Sequence, residues 1–119
     1  MRCEKFLEKV EEKTGVGFSI SKNGDNGYLV AGEYWSDLGE DVIISLVIDK
    51  LTKEKIVHAM YEYQEYFDAE EHAVELFNLH GKYGTPTSIR DLLEDANEQK
   101  QNLEDIYYTM AKIYHESEV

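Results

Sequence analysis

Four histidines stand among 25 carboxylates in a chain of 119 residues, and that combination first suggests a metal. His72 lies four residues after Asp68, three before Glu75 and eight before His80, spacings that set several of these groups on one face of a helix. A di-metal carboxylate bundle, however, needs paired Glu-x-x-His motifs, and the sequence has none. Surface histidines on an acidic helix are the simpler reading. No metal and no cofactor is expected.

Acid–base chemistry needs one carboxyl group in surroundings that raise its pKa. Helical periodicity instead sets nearly all the carboxylates on polar faces. The glycines of "GVG", "GDNG" and "HGKYG" fit neither a dinucleotide fingerprint nor a phosphate-binding loop, whose Gly-x-x-x-x-Gly-Lys spacing is missing, and turns account for them. Ser36 and Asp37 have no histidine in any motif that would complete a triad. The expectation is a protein that is not an enzyme.

What remains is charge and tyrosine. The formal charge is −13, and residues 1 to 22 carry a net +1, which leaves −14 on residues 23 to 119. Between Lys55 and Lys82 lie 26 residues with no lysine or arginine, holding Glu62, Glu65, Asp68, Glu70, Glu71 and Glu75. Residues 23 to 49 likewise set Asp25, Glu33, Asp37, Glu40, Asp41 and Asp49 without a basic group. Like charges at helical spacing cost a few tenths of a kcal/mol each, so helix stability does not explain them. Carboxylates three or four residues apart on a helix stand ~5 to 6 Å apart, a ladder of the same scale as a nucleic-acid backbone.

Nine tyrosines and one tryptophan make up most of the 14 aromatic residues, and Tyr61, Tyr63 and Tyr66 fall on more than one side of their helix. Interfaces favour such side chains, which offer wide contact and a polar tip. The residues nominated for a partner surface are Asp37, Glu40, Asp41, Tyr61, Glu62, Glu65, Tyr66, Glu70, Glu75, Asp91, Glu94 and Asp95. The expected partner is basic, a nucleic-acid-binding protein. Direct contact with nucleic acid or an anionic membrane is disfavoured, because that draws on lysine and arginine displacing counterions. The alternative is an accessory protein acting through a hydrophobic or homodimeric interface, with its acidity serving solubility. The oligomeric state is left open between monomer and homodimer.

The elements that must position these residues follow from periodicity. Cys3, Phe6, Leu7 and Val10 recur at helical spacing up to Thr14 and Gly15. Val16, Phe18 and Ile20 alternate, "KNGDNG" supplies a turn, and "YLVAGEYW" resumes extended character, a β-hairpin. "VIISLVID" reads as the best-buried strand, with Val42, Ile44, Leu46 and Ile48 on one face and Ile43 and Val47 on the other. From Thr52 the period becomes helical, with Ile56, Met60, Tyr63 and Phe67 on one face. Asp68, with Glu71 three positions on, has the spacing of a capping box and starts another helix at Ala69, which Gly81 ends. After Pro86, Thr87 or Ser88 caps a last helix to about Glu116, whose apolar stripe breaks between Ala96 and Leu103 as if the helix kinked or projected past the body.

The class is α+β in a single domain: an N-terminal helix, a three-stranded antiparallel meander, then three helices on one face. One cysteine, Cys3, excludes an internal disulfide, and "MRCEKFLEKVEEK" lacks the apolar core of a signal peptide, so a cytoplasmic setting is expected.

From "GED" at Gly39 to Asp41 through "EYFDAEEHAVELFNLHGKYGTPTSIRDLLEDA", the chain resembles small acidic proteins carried by phages and conjugative elements of Firmicutes. Phe67, Asp68, Glu71 and His72 carry one motif, and Pro86, Ser88, Ile89, Arg90, Leu92, Leu93, Glu94, Asp95 and Ala96 carry the other. Thr85 departs from the usual apolar residue, and the first helix and hairpin lie outside the likeness, which covers about two-thirds of the chain. The resemblance implies a mobile-element origin in a bacterial host. By analogy it implies an inhibitor of the anti-CRISPR or antirestriction kind that works as a nucleic-acid mimic.

Overall fold

The computed structural model describes residues 2–35, 41–80 and 88–117, except for the side chains at 79 and 80. The order is α1 (Cys3–Thr14), β1 (Phe18–Asn23), β2 (Gly27–Trp35), β3 (Asp41–Ile48), α2 (Lys53–Glu65), α3 (Ala69–His80) and α4 (Ile89–Ser117). This is the expected α+β arrangement, with the antiparallel strands in the order β1-β2-β3.

Helix α1 buries Phe6, Leu7 and Val10; the Gly15 N–H closes its last turn on the Glu11 carbonyl at 2.8 Å, and the Gly15 φ of 77° turns the chain out of the helix. In the sheet, period-two alternation separates two faces: Val30, Ile44 and Leu46 are buried towards the helices, whereas Ile43 and Val47 are 54% and 64% exposed on the outer face. β3 is thus buried on one face only. No described helix covers its other face, which Trp35, 67% exposed, shares through the pairing of Trp35 with Asp41.

The three later helices start where polar side chains satisfy their first N–H groups. Thr52 Oγ1 accepts from the Lys55 N–H at 3.1 Å, Asp68 Oδ1 from the Glu71 N–H at 3.2 Å, and Ser88 Oγ from the Asp91 N–H at 3.1 Å. Ser88 is therefore a cap of α4; Thr87, Pro86 and Gly81 lie outside the described residues.

Helix α4 is one continuous helix of 29 residues. Its polar stretch is the seam between two cores. Leu103, Ile106, Met110 and Ile113 join the main core with α1, α2 and the sheet, while Leu92 and Ala96 pack with Ala69 and Ala73 of α3. At the seam Gln99 is fully buried and its amide donates to Asp95 Oδ2 at 2.8 Å. Helix α2 likewise buries Gln64, where hydropathy favours Tyr63. No helix among the described residues is long and apolar enough to cross a membrane.

Candidate functional site

A groove of about 500 Å³ runs between the edge of β3 and the helices α2 and α3. Ser45, Leu46 and Val47 form the strand side. From α2 come Ala59, Glu62, Tyr63 and Tyr66, and from the link and α3 come Phe67, Asp68, Glu71, His72 and Glu75. Among the described residues, no lysine or arginine lines it.

Each wall follows from local structure. The Asp68 cap breaks the chain between α2 and α3 and fixes the direction in which α3 leaves, so that Glu71 and Glu75, one turn apart, look across at the strand. The half-buried ring of His72 rests on Phe67 with centroids 5.2 Å apart, so this histidine is part of the packing rather than of a free polar face. Tyr63 is half-buried, and its hydroxyl donates to the Ile43 carbonyl at 3.0 Å, tying α2 to β3. Burial pushes its phenol above the ordinary range. Tyr66 is 82% exposed at the rim. His58 Nε2 lies 2.9 Å from Glu62 Oε1, one turn away on the same helix.

Of the nominated residues, Glu62, Tyr66 and Glu75 meet in this groove. Glu65 and Glu70 are exposed near the same junction. Tyr61 points elsewhere: its ring packs at a tilt against Tyr107 of α4, with centroids 5.3 Å apart, beside a second hollow with His58 and Tyr114. Asp91 and Glu94 are exposed on the first turns of α4, where Arg90 lies 3.5 Å from Glu94. Asp95 does not belong to a partner surface, because it is 3% exposed and held by Gln99 at the seam. Asp37 and Glu40 lie outside the described residues.

Asp41 sits at the start of β3 beside Glu33, and the two carboxyl groups share a hydrogen bond that, with their mutual repulsion, raises the Glu33 pKa above its usual value. Sequence reasoning passed over Ser45, Val47, Asp68 and Glu71 as groove residues. The spacing of the two acids reads as a helix cap, and nothing in a linear pattern says which strand ends at a free edge.

Among the described residues, no group of three or more His, Cys, Asp or Glu side chains could hold a metal ion. No protein-family model, no curated protein and no solved structure matches the chain.

Proposed function

We propose that this chain is a non-enzymatic acidic binding protein of a mobile genetic element. It occupies the basic site of a host nucleic-acid-binding defence protein, of the kind that anti-CRISPR and antirestriction inhibitors block, and presents carboxylates where that site expects phosphates. The observation that carries the reading is the groove at the α2–α3 junction, where Glu62, Asp68, Glu71 and Glu75 converge with no lysine or arginine among the described residues that line it. Glu65 and Glu70 extend the acidic face around it, and the aromatic rings of Tyr66 and Phe67 give it contact area.

The test is capture from host lysate on the immobilised chain at low salt, followed by elution with nucleic acid. The expected result is a nucleic-acid-binding protein that DNA or RNA displaces and that does not bind the Glu62→Lys, Glu65→Lys, Glu75→Lys triple variant. A partner that keeps its nucleic acid while bound, or that binds the triple variant normally, overturns the reading.

A second reading draws on a different observation, the outer sheet face with Trp35, Ile43 and Val47 exposed. An accessory protein working through that apolar face would lose its partner on Ile43→Ser with Val47→Ser and would be indifferent to the lysine reversals.

A further inference from the structure

β3 is an outer strand of the sheet, and its far edge has a detectable polarity. In an antiparallel pair, alternate residues turn their N–H and C=O towards the neighbouring strand and the others turn them away. The Tyr63 hydroxyl reaches the Ile43 carbonyl from α2, so Ile43 belongs to the outward set, and Ser45 and Val47 belong with it. Both line the groove. Among the described residues, no side chain caps the backbone of Ser45 or Val47 as Tyr63 caps that of Ile43. Unpaired edges of this kind template a further strand.

We propose that an extended cationic segment of a protein partner adds to β3 as a fourth strand along Ser45–Val47, inside the groove. Charge selects the occupant. The opposite wall carries Glu62, Asp68, Glu71 and Glu75, and a second copy would bring an identical acidic wall on a chain of net charge −13. Strand geometry then selects the pattern. Alternate side chains of an added strand continue the outer face beside Ile43 and Val47, which are exposed and apolar, and the others turn towards the helices and their carboxylates. The segment recognised therefore alternates apolar residues with lysine or arginine, and Tyr66 and Phe67 give those cations aromatic faces to lie against. This inference deepens the acidic-face reading and rests on it.

The probe is a peptide of about eight residues alternating valine and lysine, beside a valine–glutamate counterpart and a lysine peptide N-methylated on the amides of one edge. Binding to the full chain is read by fluorescence anisotropy and by amide hydrogen exchange. The lysine peptide should bind and the glutamate peptide should not. N-methylation should weaken binding about tenfold or more. The amides of Ser45 and Val47 should gain protection. Val47→Pro removes an outward donor without touching the ladder to β2 and should abolish binding with the fold intact. Should that variant fail to fold, the N-methylated peptide and the exchange pattern decide.

Equal binding of the methylated and unmodified peptides, or unchanged exchange at Ser45 and Val47, overturns the proposal, because cations would then gather on the acidic face without forming a strand. A dimer in sedimentation that Val47→Pro dissociates also overturns it, in favour of a second copy. The peptide can fail while nucleic acid still displaces a lysate partner, and it can bind where no such partner exists, so the two readings fail separately.

Discussion

Lys100 Nζ donates to the carbonyl of Gln64 at 3.1 Å and, from the same ammonium, to that of Phe67 at 3.2 Å. One side chain of α4 thereby closes the end of α2, a helix with no basic residue in its own last turn. Helix C-termini leave carbonyls unpaired and carry partial negative charge, so a cation placed there serves both needs. Lys100→Met keeps most of the volume and removes the donor. It should lower the unfolding free energy by ~1.5 to 3 kcal/mol, the range for hydrogen bonds to charged groups, with an unchanged urea m-value. A loss within the scatter of ordinary surface substitutions would show that water replaces the ammonium.

The Asp68 cap gives a second test, separable from the acidic face to which the same carboxylate belongs. Asp68→Asn keeps an acceptor for the Glu71 N–H and should leave stability nearly unchanged, while Asp68→Ala should cost ~0.5 to 2 kcal/mol in urea unfolding. If partner binding falls equally in both variants, the charge of Asp68 is what the partner reads.

Tyr63 predicts a pH dependence. Burial raises its phenol above the ordinary value of about 10, so the folded chain holds that proton more tightly than the unfolded chain does. The contribution is fully present below pH ~10 and is lost as pH rises through the folded pKa. Tyr63→Phe should therefore cost ~1 kcal/mol at neutral pH through the hydrogen bond to Ile43, and the gap between the two proteins should narrow in alkali. Denaturant unfolding at pH 8 and at pH 11 checks the sign.

Kinetics separate the roles of charge and aromatic contact at the groove. The reversals at Glu62, Glu65 and Glu75 should slow association and flatten its salt dependence, since they remove attraction that acts over ~8 to 10 Å. Tyr66→Ala should instead quicken dissociation, because a lost contact acts after encounter. Tyr61→Ala should change neither rate much, as its ring lies against Tyr107. Surface plasmon resonance on the captured partner resolves the two rates.

The strands and most helix limits were legible because they rest on local periodicity: Val42, Ile44, Leu46 and Ile48 alternate, and they alternate in burial. The seam was not. Asp95, Gln99 and Gln64 are polar in any hydropathy reading; each finds its partner on its own helix, Gln99 for Asp95 and the Tyr61 carbonyl, at 3.0 Å, for the Gln64 amide, but what buries them is the packing of α4 against α2 and α3, which no local pattern encodes. The candidate groove was half legible. The surplus of acid around residues 61 to 75 is a fact of sequence, whereas the free edge that faces it depends on strand order, which no run of residues encodes alone.

The division of α4 between two cores has an energetic consequence. Among the described residues, the core it shares with α3 has three alanines and one leucine as its buried members, with Phe67, Leu76 and Leu93 partly buried against them, whereas the main core holds Phe6, Ile44, Leu46, Ile56 and Met60 as well as the later residues of α4. Alanine removes little apolar surface from water, so the α3 end opens at lower free energy than the sheet end. Amide protection should then step down along one unbroken helix, from Leu103–Ile113 to Leu92–Ala96. Glu71 and Glu75 ride on α3, at the end that opens first, so the width of the groove is set by the less stable of the two cores and can adapt to what enters it.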